Sequence, residues 1–306
     1  MSGSTRWLVT GASGLLGSNV GRLFRLGPEA KTMTTIAMTR THIFPNYFAE
    51  MVQGDLTDLE SLRDAIEVSQ PDVVLHAGAM ASHEACEANP DLAQRVNVDA
   101  TKVIADISRK IGAAFIYIST DAVFDGKTGN YSEDDAPNPF SIYGRTKLAG
   151  EEAAFSSNPE SLVIRTNFFG WSQTRDRSIL EFFVNNLRAK VKVKGFTDFK
   201  VTSIYAQNLA CAIKLLVDNH NTGLVHLASS DSLTKYEFAV ECATVFNLDA
   251  DLISPSNSQS IGFITSRSRD LSLNSTRCES LLGQFLPSQR DGVLAAHRDE
   301  KGRQGR

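Results

Sequence analysis

The sequence has few cysteines and no apolar run that approaches the length of a transmembrane helix, about 18 residues. Its four cysteines form no C-x-x-C pair and have no histidines at zinc spacing, so the sequence gives no reason to expect a bound metal. We expect each to be a small buried apolar side chain, which fits a reducing, cytoplasmic compartment. These cysteines are Cys86, Cys211, Cys242 and Cys278. The segment Met1–Arg6 leads directly into a predicted strand, so we also expect no signal peptide.

The sequence also lacks a large excess of charge of either sign. The formal net charge is −4, so no nucleic-acid or membrane partner is expected. The basic stretch at 298–306 has no apolar periodicity, and we interpret it as a frayed tail. A chain of 306 residues exceeds one average domain and can bury a sizeable core without disulfides.

Short β-rich runs alternate with helical patterns over the first two-thirds of the chain. This alternation predicts an α/β fold of the Rossmann type, a doubly wound parallel sheet with helices on both faces. The predicted strands are 7–10, 35–39, 51–53, 72–76, 114–118 and 161–165. The predicted helices are 15–26, 59–68, 90–111, 143–155 and 204–218.

The regular alternation of strand and helix patterns ends after Thr166, where short apolar stretches are flanked by polar residues. We predict a Rossmann domain over 1–166, to which 201–226 returns. A smaller, interleaved C-terminal substrate lobe would comprise 167–200 and 227–306. The cleft between the two parts is the expected site.

A glycine-rich turn directly follows the first predicted strand and opens a helix. The glycines Gly11, Gly14 and Gly17 are spaced G-x-x-G-x-x-G. Glycine allows a tight turn and a close approach of the backbone to a pyrophosphate at the helix N-terminus. The turn therefore predicts a bound dinucleotide.

A second motif combines Ser119 and Thr120, at the end of the fifth predicted strand, with Tyr143 and Lys147. Residues i and i+4 share a helix face, so the last two side chains can enter one site. An ammonium near a phenol lowers its pKa and suits it to proton transfer. Thr120 can hydrogen-bond the same reacting oxygen.

Together these motifs resemble the extended branch of the short-chain dehydrogenase/reductase superfamily, and most closely the dTDP-4-dehydrorhamnose reductases. The most specific stretches are S-T-D-A-V-F-D-G-K at 119–127, Y-S-E at 131–133, P-N-P at 137–139 and Y-G-R-T-K-L-A-G-E at 143–151. The likeness spans about residues 6–230. It implies that Thr120, Tyr143 and Lys147 form a catalytic triad.

The resemblance also implies an NADP(H) site, with NAD(H) left open. The expected cofactor-binding residues are Gly11, Ser13, Gly14, Leu15, Leu16, Gly17, Thr39, Arg40, Asp55, Leu56, Ala77, Gly78, Ala79, Asn97, Ser119, Tyr143, Lys147 and Asn167. An acidic residue about 20 positions after the glycines marks NAD specificity, whereas the second strand here ends on Thr39 and Arg40. Arg40 could receive the 2′-phosphate of NADP.

The implied substrate is a small-molecule sugar nucleotide, reduced at a 4-keto group in deoxysugar biosynthesis. Its expected contacts are Asp121, Phe168, Phe169, Trp171 and Arg267, although core packing would serve each of the three aromatic residues equally well. The segment Phe199–Thr202 replaces the G-x-P-T of these reductases. Some relatives form metal-bridged dimers through a glutamate after the third glycine. Ser18, Asn19 and Val20 stand there instead, so we carry over no metal and leave a homodimer open.

Two other functions remain open. Dehydratases of the superfamily read T-D-E at the end of the fifth strand, and Ala122 replaces that glutamate here, which disfavours a dehydratase or epimerase. The likeness also extends to a cofactor-binding regulatory subunit, the methionine adenosyltransferase beta subunit. Cofactor binding alone could retain the triad in such a subunit.

Overall fold

The computed structural model describes residues 4–40, 47–257 and 269–304. The strands are β1 (Thr5–Thr10), β2 (Met33–Thr39), β3 (Glu50–Gln53), β4 (Val73–His76), β5 (Ala114–Ile118), β6 (Leu162–Arg165), β7 (Phe168–Phe169), β8 (Val193–Phe196), β9 (Lys200–Val201), β10 (Ile204–Tyr205), β11 (Gly223–His226), β12 (Leu233–Thr234) and β13 (Ile253–Ser256). The helices are α1 (Leu15–Leu26), α2 (Leu59–Ser69), α3 (His83–Ala88), α4 (Pro90–Gln94), α5 (Ala100–Ile111), α6 (Ile142–Ser157), α7 (Ile179–Arg188), α8 (Ala206–Asp218), α9 (Lys235–Phe246), α10 (Thr276–Leu282) and α11 (Gln289–Gln304).

Seven strands form one parallel sheet in the order β11-β6-β5-β4-β1-β2-β3. The order reverses between β1 and β4, because the chain crosses back over β1 after β3. Open α/β sheets bind ligands at such a switch point, beyond the carboxyl ends of the strands. The predicted α/β Rossmann fold is confirmed.

Alternate residues of the central strands face opposite sides of the sheet. Trp7 and Val9 belong to an apolar cluster with α1 and α8, while Leu8 belongs to a second cluster with α2 and α5. Both sheet faces are therefore buried, which explains why the strands read as near-continuous apolar runs.

A third apolar cluster forms the core of the C-terminal part. It collects aromatic side chains from segments far apart in sequence, including Phe169, Trp171, Phe183, Phe238 and Phe246. Three two-stranded pairs accompany it, β7 with β10, β8 with β13 and β9 with β12. Its segments interleave with β11, which joins the large sheet, as expected of an interleaved lobe. The numbered division into two parts stays a prediction.

The predicted helix over 90–111 is interrupted. The structure places a π-helical turn over Arg95–Asp99, between α4 and α5. Such turns often mark functional sites, and Asn97 lies in this one.

The interpretation of 298–306 as a frayed tail is wrong as far as Gln304, where α11 ends. Arg188 forms an ion pair with Glu300 at 2.6 Å, and the Tyr205 hydroxyl donates to Asp299 at 2.6 Å. These contacts involve residues about 100 positions apart, so no local periodicity could reveal them.

Cys211 also departs from expectation, because it is exposed whereas the other three cysteines are buried. Within the described ranges, no helix is both long and apolar enough to span a membrane.

We predict that Gly150→Ala destabilises the fold by about 1–3 kcal/mol, the usual cost of overpacking. An added Cβ would collide with the Tyr117 hydroxyl and lie 2.6 Å from the Asn97 carbonyl oxygen. Urea unfolding measures the loss. The exposed Glu152→Ala on the same helix serves as control, and equal stability of the two variants would contradict the prediction.

Candidate active site

The glycine turn packs against the segment that follows β4. Gly11 has a left-handed backbone with φ +64°, and a Cβ there would lie 2.7 Å from Gly78 Cα. A Cβ on Gly17 would lie 2.8 Å from Ala12 Cα. Two strand ends thus meet at a distance that side chains would prevent.

The N-terminus of α1 opens beside this turn. Gly14 is its N-cap residue and provides no side-chain hydrogen bond, and the first turn of the helix carries no acidic residue. The first backbone N–H groups of the helix are therefore suited to an anion such as a pyrophosphate. Leu15, Leu16 and Gly17 lie in this first turn, and Ser13 is exposed on the loop.

Other predicted cofactor residues lie along the same sheet edge. A Cβ on Gly78 would lie 2.8 Å from Leu56 Cδ1, so the 55–56 and 77–79 segments are neighbours. The Asp55 carboxylate accepts two 2.9 Å hydrogen bonds from Thr57. Thr39 ends β2, and Arg40 follows it as an exposed residue.

The structure brings Thr120 and Tyr143 together. Thr120 caps a short 3₁₀ turn, accepting a hydrogen bond from Ala122 N at 3.1 Å. Tyr143 is half-buried in the first turn of α6, and the nearby Thr120 side chain acts on its hydroxyl, whose pKa it lowers. Two hydroxyls therefore converge at the carboxyl end of β5.

Lys147 lies on the same helix but faces other groups. Its ammonium donates to the Ile118 carbonyl at 2.7 Å and lies 3.9 Å from the centre of the Tyr117 ring. Burial lowers the pKa of Lys147 to about 7, although the nearby Glu151 carboxylate raises it.

The expected lowering of the Tyr143 pKa is not what the structure gives. Burial raises the pKa of Tyr143 to about 12, Thr120 opposes the shift, and the Asp121 and Cys86 charges add to it. Lys147 does not lower the Tyr143 pKa, because its ammonium is directed at a backbone carbonyl and an aromatic ring. Tyr143 is consequently a protonated phenol over the whole neutral range.

Asp121 is a buried carboxyl next to this pair. It accepts hydrogen bonds from Thr120 at 3.0 Å and from the Asn167 amide at 2.8 Å, and Ser203 holds the other end of that amide. Burial raises the pKa of Asp121 to about 6, against these hydrogen bonds and the Lys235 charge. The predicted residue Asp121 therefore lies next to Thr120 and Tyr143, and the predicted residue Asn167 is bonded to Asp121.

A buried ion pair supports the wall behind these residues. Arg165, the last residue of β6, binds the Glu151 carboxylate through two nitrogens, at 2.9 and 2.7 Å. Both side chains are nearly inaccessible to solvent. Ser119 donates to the same carboxylate at 2.5 Å, so Glu151 joins β5, β6 and α6.

Two predicted substrate residues lie elsewhere. Phe169 and Trp171 are 0% and 1% exposed and belong to the C-terminal apolar cluster, so direct substrate contact is ruled out for them. Trp171 also donates to the Ala296 carbonyl at 2.8 Å, which explains its burial without a ligand. Phe168 is half-buried, and Arg267 lies outside the described residues.

Sequence reasoning missed several residues at the site. The His83 ring lies 4.9 Å from the Tyr143 ring, and Lys235 acts on Asp121 from the first turn of α9. Glu151 could have been found, because it continues the i, i+4 row of Tyr143 and Lys147. Arg165 gave a weaker signal, a charge at the end of an apolar strand. Among the described residues, no group of three metal-ligating side chains was found.

We predict that Arg165→Met destabilises the protein by about 3–5 kcal/mol, because it leaves the Glu151 carboxylate buried without its cation. Glu151→Leu combined with Arg165→Met should recover much of this loss in the free energy of unfolding. As control, Arg290→Met breaks the exposed pair with Glu241 and should cost about 0–1 kcal/mol. Equal losses in the two single variants would be inconsistent with this role.

Solved structures share the whole fold. A hypothetical dTDP-4-dehydrorhamnose reductase from Sulfolobus tokodaii has a TM-score of 0.82 and 31% identity, covering 94% of this chain and 99% of that chain. The dTDP-4-dehydrorhamnose reductase of Bacillus anthracis, in complex with NADP, has a TM-score of 0.86 over 97% of this chain and 99% of that chain. At 21% identity, the second likeness concerns the fold alone.

Curated relatives match over nearly the full length. The probable low-salt glycan biosynthesis reductase Agl14 of Haloferax volcanii is 32% identical, over 94% of this chain and 95% of that protein. The methionine adenosyltransferase 2 subunit beta of Bos taurus is 31% identical, over 92% and 84%. The family described as RmlD substrate binding domain matches residues 5–301. The chain therefore belongs to the RmlD substrate binding domain family.

Proposed function

We propose that the protein is an NADPH-dependent reductase of a 4-keto-6-deoxy sugar nucleotide. The observation that carries this proposal is the convergence of the Thr120 and Tyr143 side chains, at the sheet edge where the glycine turn also lies. Support comes from the similarity to reductases of sugar and glycan biosynthesis, one of them in complex with NADP. The low identity leaves the sugar and the nucleotide to experiment.

The cofactor site would combine two features of the structure. The uncapped N-terminus of α1 would bind the pyrophosphate, and the glycines of the adjacent turn place no side chains in its way. Arg40 would bind the 2′-phosphate of NADPH. When bound, the cofactor supplies a hydride for the carbonyl carbon.

The side chains of this protein would then handle the carbonyl oxygen. Thr120 and Tyr143 would both hydrogen-bond it, and Tyr143 would give up its proton as negative charge develops on the oxygen. A phenol with a pKa of about 12 keeps its proton at neutral pH and is therefore available as a proton donor. This electrostatic setting suits reduction better than oxidation, which would require a phenolate.

Lys147 would contribute through the cofactor. Its ammonium is held by the Ile118 carbonyl, close to the strand end where the nicotinamide ribose is expected. Asp121 and Asn167 would position the sugar, since Asp121 accepts a hydrogen bond from Thr120 and Asn167 donates to Asp121.

A regulatory subunit is the second candidate, and a specific observation favours it. Methionine adenosyltransferase 2 subunit beta sequences from several vertebrates are similar to this chain over more than 90% of its length. Such a subunit would use the same cofactor site without turning over a substrate. An epimerase or dehydratase has weaker support, because Ala122 cannot transfer a proton.

We predict that NADPH is oxidised when a dTDP-4-keto-6-deoxyhexose is generated in situ by a 4,6-dehydratase. Tyr143→Phe should lower kcat by about 10²–10⁴-fold, the usual effect of removing a general acid, with NADPH binding retained. Loss of NADPH absorbance follows the reaction. Tyr236→Phe makes the same chemical change on α9 and should leave kcat unaltered.

Two results would count against this assignment. One is a Tyr143→Phe variant with normal turnover. The other is tight NADPH binding without oxidation by any 4-keto-sugar nucleotide. The second result favours the regulatory subunit, which gel filtration with methionine adenosyltransferase catalytic subunits then tests directly.

We further predict a preference for NADPH over NADH that depends on Arg40. Arg40→Ala should reduce kcat/KM for NADPH by about 10–100-fold, the effect of losing a charge-assisted hydrogen bond, and should change the NADH value little. Arg25→Ala, an exposed arginine on α1, is the matched control. A wild-type preference for NADH would contradict the prediction.

A further inference from the structure

His76 is a fully buried histidine at the end of β4, the strand beside the glycine turn. Its Nδ1 lies 2.6 Å from Thr10 Oγ1, and its Nε2 lies 3.0 Å from Thr101 Oγ1. The side chain is 1% exposed, with the Phe115 and Tyr117 rings packed beside it. The mechanism proposed above makes no use of this residue.

The neighbouring hydrogen bonds fix where its proton resides. The Thr101 hydroxyl donates to the Asn97 carbonyl at 2.8 Å, so it must accept from His76 Nε2–H. His76 Nδ1 is then without a proton and accepts from the Thr10 hydroxyl. Thr10 Oγ1 in turn accepts from Gly78 N–H at 3.0 Å. The result is a chain of hydrogen bonds that all run in one direction.

The imidazole in this chain is neutral. Burial lowers the pKa of His76 to about 3, and the Lys147 charge acts in the same direction. Lys147 is the charged group that acts on the ring, while Thr10, Thr101, Phe115 and Tyr117 surround it with uncharged atoms. A single tautomer therefore persists across the neutral range.

The two ends of the chain are parts of the candidate site. At one end, Gly78 packs directly on Gly11 of the glycine turn. At the other end, Asn97 lies in the π-helical turn, and its amide accepts from Met80 N at 2.9 Å and donates to Thr146 at 3.0 Å. Thr146 precedes Lys147 on α6.

We propose that His76 is a positioning residue, which couples the glycine turn to the π-helical turn through the chain Gly78–Thr10–His76–Thr101–Asn97. This role rests on the cofactor site of the proposed function. The ring joins two segments of the candidate site, and its fixed tautomer holds both in one geometry. Loosening the chain should disturb the backbone at both ends.

The first test uses the unmodified protein. Nitrogen NMR of histidine-labelled protein should show His76 protonated on Nε2 alone, with no titration between pH 5 and 8, because burial disfavours the imidazolium (about 6.5 is its ordinary pKa). A proton on Nδ1 would reverse the direction of the chain and overturn the proposal.

The second test cuts the chain at its centre with the nearly isosteric Thr101→Val. Amide hydrogen exchange at Gly78 and Met80 should accelerate by about tenfold, and the Kd for NADPH should rise by a similar factor, the usual effect of one lost hydrogen bond. Ser108→Ala is the control, because Ser108 lies on the same helix and its hydroxyl bonds the Ile104 carbonyl at 2.7 Å. It should change neither quantity.

Unchanged exchange at both amides in Thr101→Val would overturn the proposal. If the unmodified protein does not bind NADPH, the proposed function fails, and the tautomer and exchange measurements still decide the role of His76. Faster exchange with unaltered NADPH affinity would also refute it, because the chain would then be structural only.

Discussion

The close approach of Gly11 to Gly78 is the constraint on which the remaining site depends. It brings the carboxyl ends of β1 and β4 together at the point where the strand order reverses. That contact places the uncapped end of α1 beside the 77–79 segment, and the His76 chain extends it to the π-helical turn. A side chain at either glycine would separate these parts, whatever the rest of the sheet did.

Burial then determines which groups at the site carry charge. It raises the pKa of Tyr143 and Asp121 and lowers that of Lys147 and His76, so each group is shifted toward its neutral form. Glu151 and Arg165 instead form a two-point contact in the interior. The wall of the site thus gains a buried two-point contact, and the groups in front of it are shifted toward their neutral forms.

The sequence was most informative where local geometry decides the outcome. The bounds of α1 and β5 were predicted to the residue, because an apolar pattern and its flanking turns suffice there. Thr120 and Tyr143 were also predicted together, since one ends a strand and the other begins a helix with a polar face. For Phe169 and Trp171 the sequence left substrate contact and core packing equally open, because their packing partners come from α9 and α11, far along the chain. His76 was read as an ordinary strand residue, since its hydrogen-bond partners lie on other elements.

The enzyme and the regulatory subunit place different demands on the same residues. Binding a dinucleotide requires the glycine turn, the end of α1 and a cation such as Arg40. It does not require a buried carboxyl next to Thr120 and Tyr143. This protein has one, Asp121, which accepts a hydrogen bond from the Asn167 amide, and Ser203 in turn donates to that amide. Burying Asp121 costs free energy, as its raised pKa indicates. The buried Asp121 carboxyl lies next to Tyr143, a protonated group that can donate to a carbonyl oxygen. This arrangement supports the proposed reductase over a subunit that only binds the cofactor.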